Sequence, residues 1–197
     1  PTNWNLSGAG LVVSSGARSL IFSAFETLLG GTDADSFIFA NGYTFAGSIN
    51  GGAGMDTLNL SAFTTERRIT LTGVGVDGFN GTTAVVTAEF TNMNHFVGSA
   101  TIGTDYLAGP NMNASWVVGA VNSITVGSNS ATFASFETLQ GGSYADTFTV
   151  SGAGNPVSLL GGAGTDTFIF MNGAVIIGTV DGQGGGGNTL DYSDYLT

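Results

Sequence analysis

The feature that most constrains the fold is a glycine-rich turn that ends in an aspartate and leads into a short β-strand. It occurs as GGAGMDTLNLS at 51–61 and GGAGTDTFIF at 161–170, with variants at 30–39 and 141–150 and a divergent copy, GGGGNTLDYS, at 184–193. A chain that repeats one turn and one strand in this way is typical of stacked repeat architectures. The repeats therefore decide the fold class.

The turns recur with a period of about 20 to 22 residues. The residues that mark the end of each turn are, in order, Asp35, Asp56, Asp77, Asp146, Asp166 and Asn188. A coil of this length holds two or three short strands, and coils stacked at the ~4.8 Å strand spacing form a parallel β-solenoid. The sequence predicts an all-β fold, a β-solenoid (β-helix) of about nine coils, right-handed by the general preference of crossover connections.

A longer repeat overlies the coils. The strings PTNWNLSGAG, ERRITLTGVG and NASWVVGAV align with one another, which places Trp4, Ile69 and Trp116 at the same position. Each is followed by a phenylalanine-rich segment: IFSAFETLLGG at 21–31, EFTNMNHFVGS at 89–99 and TFASFETLQGG at 132–142. We expect a single module, residues 1–197, of three unequal super-repeats at about 1–65, 66–112 and 113–197. Interior stacks along the axis are expected of four phenylalanines, Phe22, Phe25, Phe133 and Phe136.

The two ends of the sequence align with its middle. The string at 56–75, DTLNLSAFTTERRITLTGVG, can be laid over NTLDYSDYLT at 188–197 followed directly by PTNWNLSGAG at 1–10. Neither end carries the polar cap that protects the open sheet edge of a solitary solenoid. We therefore expect self-association: covalent tandem repetition, end-to-end stacking of copies, or both.

The composition excludes several classes of function. The chain has 3 lysine or arginine residues against 14 acidic residues and a net charge of -11. Nucleic-acid binding needs a basic face, so no nucleic-acid partner is expected. No apolar run approaches the ~18 to 20 residues of a membrane span, so no membrane insertion is expected either. The absence of cysteine means that disulfides do not stabilise the fold.

The sequence predicts no enzyme and no catalytic or cofactor-binding residues. The single histidine, His95, lies in a degenerate repeat without a neighbouring Ser-Asp or paired-carboxylate pattern, so a satisfied or partly exposed histidine is favoured. The glutamates of the FETL strings, Glu26 and Glu137, could pair with Arg18 or lie on the surface, and the surface is favoured because exposed ion pairs contribute little. The three arginines are too few for a polysaccharide lyase, which must neutralise uronate charge.

Several strings together resemble the repeats of RTX proteins and of large bacterial surface proteins of the adhesin type. The matches are GGAGMDTLN at 51–59, GGAGTDTFI at 161–169, the FETL strings that begin at Phe25 and Phe136, and LDYSDYLT at 190–197. This resemblance implies export to the cell surface or the medium and tandem repetition within a very large protein. RTX rolls present glycine-aspartate loops on both edges, whereas each coil here has one such loop.

Calcium is the metal that these loops suggest. Calcium takes six to eight oxygen ligands, and a glycine-rich turn can direct backbone carbonyls at an ion while an aspartate supplies charge. The candidate ligands lie in one row: Asp35, Asp56, Asp77, Asp146 and Asp166. The alternative is that each aspartate caps its own turn by an Asx-type hydrogen bond, which needs no ion.

Two functions remain after these exclusions. The first is an extracellular structural module that forms a segment of a stalk, fibre or sheath by end-to-end continuation of the solenoid. The second is an adhesin-type binding module whose solvent face recognises a glycan or a protein partner on a cell surface, with or without bound calcium. The continuation of one end into the other favours the first.

Overall fold

The fold consists of β-strands arranged in two sheets. The structure is a computed structural model that describes residues 1–8, 10–100, 105–154 and 157–196. The described residues form 21 strands and contain no helix, and the strands divide into a twelve-stranded sheet and a nine-stranded sheet. The predicted all-β class, with long runs of parallel strands, is therefore confirmed.

The strands are short, as turns every few residues require. The first super-repeat contains β1 (Thr2–Ser7), β2 (Gly10–Ser15), β3 (Arg18–Phe22), β4 (Thr27–Gly31), β5 (Asp35–Phe39), β6 (Ser48–Gly52) and β7 (Thr57–Asn59). The middle of the chain contains β8 (Arg68–Val74), β9 (Phe79–Thr83), β10 (Val86–Met93), β11 (His95–Val97) and β12 (Tyr106–Ala108). The remainder contains β13 (Ser115–Val118), β14 (Asn122–Val126), β15 (Asn129–Ala134), β16 (Thr138–Gln140), β17 (Thr147–Val150), β18 (Ser158–Leu160), β19 (Thr167–Phe170), β20 (Val180–Asp181) and β21 (Thr189–Asp191).

Equivalent strands of successive repeats pair in parallel and in register. The twelve-stranded sheet has the order β21-β19-β17-β13-β14-β15-β11-β7-β5-β1-β2-β3, and the nine-stranded sheet has the order β20-β18-β16-β12-β8-β9-β10-β6-β4. Phe37 lies opposite Leu58, and Leu58 lies opposite Phe96 in the next strand. The apolar residue two places after these turns therefore stacks on an apolar residue of the next strand. The 21-residue step predicts Phe79 as the partner of Leu58, and this is wrong, because Phe79 lies in the other sheet.

Three antiparallel meanders interrupt the parallel stacking. They are β1-β2-β3, β8-β9-β10 and β13-β14-β15, and each lies near the start of one predicted super-repeat. The expectation of parallel coils throughout is wrong at these places. The β2-β3 and β14-β15 hairpins each turn through two residues. The first residue of the turn, Gly16 or Gly127, has the positive φ that such turns require, 57° and 60° respectively.

The meanders also reduce the number of passages between the sheets. Along the described residues the chain enters the nine-stranded sheet seven times, by β4, β6, β8-β10, β12, β16, β18 and β20. This is fewer than the expected nine coils, because each meander uses the length of a coil without leaving its sheet.

One hydrophobic cluster contains residues of both sheets. Aromatic rings stack along it: the ring centroid of Trp116 lies 5.5 Å from that of Phe148, and the centroid of Phe148 lies 5.0 Å from that of Phe168, with nearly parallel ring planes in both pairs. Phe133 and Phe136 are buried as expected, whereas Phe22 is partly buried and Phe25 is exposed. The difference arises because the first phenylalanine-rich segment lies at an end of both sheets, where no further strand covers it.

Candidate functional site

The aspartates that end the glycine-rich turns form hydrogen-bonded ladders. Asp35 Oδ1 accepts the backbone N–H of Thr2 at 2.6 Å, and Asp56 Oδ1 accepts the N–H of Asp35 at 2.8 Å. Farther along, Asp146 Oδ1 accepts from Ala114 and Asp166 Oδ1 from Asp146. Each of these Oδ1 atoms therefore binds the equivalent backbone position of the neighbouring strand. At Asp146 the second oxygen, Oδ2, also accepts the N–H of Gly142 in its own turn at 2.7 Å.

The first glycine of each turn makes room for this carboxylate. A Cβ at Gly51 would lie 2.5 Å from Asp56 Oδ2 and 2.4 Å from the carbonyl oxygen of Asn92. The same close approach occurs at Gly30, Gly141 and Gly161, each five residues before its aspartate. The spacing from the first glycine to the aspartate is therefore explained by packing.

Burial raises the pKa of several ladder carboxyls. It is the largest cause that raises the pKa of Asp56 and of Asp146 to about 6, and it also raises the pKa of Asp166. The negative charges of Asp35 and Asp77 add to the shift at Asp56. Oδ2 of Asp56 and of Asp166 is buried without a hydrogen-bond partner, so ionisation of these two carboxyls is costly.

Asp77 does not belong to the row in which the 21-residue spacing placed it. It lies in the turn between β8 and β9, where its Oδ2 accepts the N–H of Gly54 at 2.9 Å. The position after Asp56 in the ladder is occupied instead by Asn94, whose Oδ1 accepts the N–H of Asp56 at 3.2 Å. The interpretation of Asp77 as the next member of the row is therefore wrong, because the second meander separates it from the strands that continue the stack.

The ladders contain residues that the turn motif did not identify. Asp105 is fully buried, and its Oδ1 accepts the N–H of Arg67 at 2.6 Å. Glu137 Oε2 accepts the N–H of Asp105 at 3.0 Å, so this glutamate has a ladder role and is not simply a surface residue. Asn188, which the turn period had already marked, takes the next ladder position, since its Oδ1 accepts the N–H of Asp166 at 2.8 Å. The places of Asp105 and Glu137 in the sequence could have identified them as ladder residues, because each directly precedes a short strand.

The ladder geometry does not fit the coordination that calcium prefers. Each Oδ1 faces a backbone N–H donor, whereas calcium takes six to eight converging oxygens. Within the ranges that the structure describes, no three acidic or histidine side chains come together in a group that could hold a metal. Calcium binding by these aspartates stays a prediction of the sequence.

The second candidate site is formed by the two open ends of the sheets. At one end, β3 and β4 are the outermost strands, and exposed apolar side chains are Leu20, Ile21, Phe25 and Leu29. At the other end, β20 and β21 are outermost, and exposed apolar side chains are Ile177, Leu190, Tyr192 and Leu196. Unpaired strand edges together with apolar side chains make both ends suited to pairing with another strand.

The remaining candidate, His95, is half-buried. Its Nδ1 lies 2.7 Å from Thr132 Oγ1, and burial lowers its pKa. This is the satisfied histidine that the sequence favours.

Comparisons with known proteins assign no family to this chain, so a functional assignment rests on the geometry of the candidate sites. Among the residues that the structure describes, no helix is long and apolar enough to cross a membrane. No protein family, no curated protein and no solved structure matches this chain.

Proposed function

We propose that the chain is a structural repeat module of an extracellular stalk, fibre or sheath, in which the sheets of one copy continue into those of the next. The observation that carries this proposal is the pair of open ends. Both sheets end in unpaired strands at both ends of the stack, and apolar side chains are exposed there. A solitary repeat protein normally covers such ends with a polar cap.

In this proposal the two sheets are walls of a right-handed β-solenoid. The alternation of the chain between the sheets and the parallel register of β5-β7-β11 and β17-β19-β21 support this interpretation. The meanders are then broadened coils within one wall, and the aspartate ladders hold successive turns together.

Burial of the open ends supplies the driving force for assembly. Leu190 is 57% exposed, and complete burial of a leucine side chain is worth ~1.5 to 3 kcal/mol. Several such side chains at each end, together with new ladder hydrogen bonds, offset the loss of translational and rotational freedom on association. The apolar pocket bounded by Trp4, Phe22, Phe25 and Leu28 belongs to this end surface.

Sedimentation velocity over a range of concentrations tests the proposal. We expect the sedimentation coefficient to rise with concentration, and Leu190→Asp to reduce this rise because the substitution puts a charge into the contact. Val76→Asp is the matched control, because Val76 is 99% exposed in a hairpin turn away from both ends and the added charge is the same. A protein that stays monomeric at all concentrations would contradict the proposal.

A further inference from the structure

Two segments of the chain have the same sequence pattern, but only one of them is covered, that is, has further strands paired with the outer edges of its own strands. The segment at 39–60, FANGYTFAGSINGGAGMDTLNL, aligns with that at 170–192, FMNGAVIIGTVDGQGGGGNTLDY, with one extra residue in the turn. The first contains β6 and β7, and the second contains β20 and β21. Ile49 and Val180 take the same position, since both lie opposite a leucine of the preceding strand in the nine-stranded sheet.

Only the first segment is covered. There β10 pairs in parallel with β6 and β11 pairs in parallel with β7, and Leu58 and Leu60 are 0% exposed. The outer edges of β20 and β21 are free, and the equivalent residues Leu190 and Tyr192 are 57% and 47% exposed. The segments that pair with β6 and β7 inside the chain therefore indicate what kind of segment could pair with β20 and β21 at this end.

The covering segments are the phenylalanine-rich ones. Segment 89–99 covers β6 and β7, and segment 132–142 covers β11 and β12 in the same way. The third such segment, 21–31, covers no strand in the described part of the chain on its outer side. Its Phe25 is 57% exposed, whereas the equivalent Phe136 is 7% exposed.

The backbone shows that these three segments are equivalent. Each has a non-glycine residue in the left-handed region at the same position, with φ of 61° at Ala24, 56° at Asn92 and 61° at Ser135. A non-glycine residue is uncommon there, so its recurrence at one aligned position indicates one shared conformation. The segment at the open end, 21–31, therefore has the same local backbone conformation as the two segments that cover strands inside the chain.

Ladder donors and acceptors at the two ends are complementary. In the covered junctions, Asn94 Oδ1 accepts the N–H of Asp56 and Glu137 Oε2 accepts the N–H of Asp105. Glu26 is the equivalent acceptor at the first open end, where it is exposed. At the other end, the N–H of Asn188 has no acceptor among the described residues.

We infer that the segment at 21–31 of one copy covers β20 and β21 of a second copy, with β3 paired in parallel with β20 and β4 paired in parallel with β21. The interior junctions set the register: Phe22 lies opposite Val180, Thr27 opposite Thr189, and Leu28 opposite Leu190. Because β3 belongs to the twelve-stranded sheet and β20 to the nine-stranded sheet, the sheets alternate from copy to copy. This inference rests on the proposed function and adds the strands and register through which it operates.

Cysteine cross-linking tests the register, since the natural chain contains no cysteine. Thr27→Cys and Thr189→Cys are made as separate variants and mixed under mild oxidation. Opposite residues on paired strands lie ~5 Å apart, within the range of a disulfide, so we expect a cross-linked dimer. Thr27→Cys mixed with Asp191→Cys is the matched control, because two residues of offset place the Cα atoms ~8 Å apart, beyond that range.

A third mixture separates this inference from the proposed function. Thr27→Cys with Thr179→Cys forms the cross-link if β4 pairs with β20, that is, if like sheets join. Cross-linking of this pair in place of the Thr27 and Thr189 pair overturns the inferred junction but leaves end-to-end assembly intact. Absence of association in sedimentation, with no cross-link in any mixture, overturns both.

The carboxylate of Glu26 provides a second readout. We expect Glu26→Gln to keep the dissociation constant of the dimer within about twofold, because the amide oxygen still accepts the N–H of Asn188. Glu26→Ala removes the acceptor and weakens association about tenfold. Equal dissociation constants for the two variants would contradict the inferred contact.

Discussion

Replacement of Asp56 by asparagine tests whether the ladder needs an acceptor or a charge. Asp56 is fully buried, its Oδ1 accepts the N–H of Asp35, and its Oδ2 has no partner. An asparagine keeps the acceptor and removes the buried charge. The chain already contains this arrangement at Asn188, whose Oδ1 accepts the N–H of Asp166 and whose Nδ2 donates to the carbonyl oxygen of Gly182 at 2.9 Å.

The size of the effect follows from the pKa of Asp56. Burial raises this pKa from 3.8 to about 6, and each unit corresponds to ~1.4 kcal/mol. The protonated carboxyl therefore stabilises the folded state at low pH, and this contribution is lost as the pH rises through about 6. At pH 8 we expect Asp56→Asn to exceed the natural protein in unfolding free energy by about 3 kcal/mol, and near pH 4 we expect little difference.

Chemical denaturation of both proteins between pH 4 and pH 8 measures this difference directly. Asp194→Asn is the matched control, because it removes one charge from an exposed aspartate. Asp56→Ala removes the acceptor, leaves the N–H of Asp35 unpaired, and should be less stable than Asp56→Asn by ~1 to 3 kcal/mol. If Asp56→Asn is less stable than the natural protein at pH 8, the carboxylate is stabilised as an anion and the reasoning is refuted.

Three further outcomes are expected. Gly51→Ala should lower the free energy of unfolding by about 3 kcal/mol in chemical denaturation, because the added Cβ would lie 2.4 Å from the carbonyl oxygen of Asn92. Gly186→Ala is the control and should be nearly neutral, because a Cβ at this position has no atom within 4 Å. Ser135→Gly should raise the unfolding free energy by about 1 kcal/mol because it relieves a left-handed φ of 61°, whereas Ser115→Gly in an extended strand should lower it. A calcium chelator should leave the thermal midpoint unchanged, because the ladder oxygens already face N–H donors; a lower midpoint would support the calcium sites instead.

The sequence period predicted the parallel strands well but missed the meanders. Parallel and antiparallel strands share the same alternation of buried and exposed residues, so periodicity alone does not distinguish them. Asp77 illustrates the error: it lies 21 residues after Asp56, yet it belongs to a hairpin turn. The usable signal was Gly16 and Gly127 between short apolar runs, where two-residue hairpin turns form.

The ladders were only partly predictable for a different reason. The motif identified Asp35, Asp56, Asp146 and Asp166 as special, but an aspartate at the end of a turn can cap its own backbone, bind an ion or bind a neighbouring strand. Which of these roles an aspartate takes depends on which strand lies next to its own in the sheet. The meanders change which strands are neighbours, so the sequence period does not identify them. Asp105 was missed because in the sequence it follows its glycine, Gly98, by seven residues, whereas the aspartates of the motif follow theirs by five.

Amide hydrogen exchange at low and high protein concentration tests the central claim most directly, because it reports on the strand edges themselves. If copies stack through their open ends, the amides of 18–31 and 177–191 gain protection as concentration rises. The internal meander at 115–134 should exchange at the same rate throughout. Unchanged exchange in both terminal segments at concentrations up to the limit of solubility would contradict end-to-end assembly.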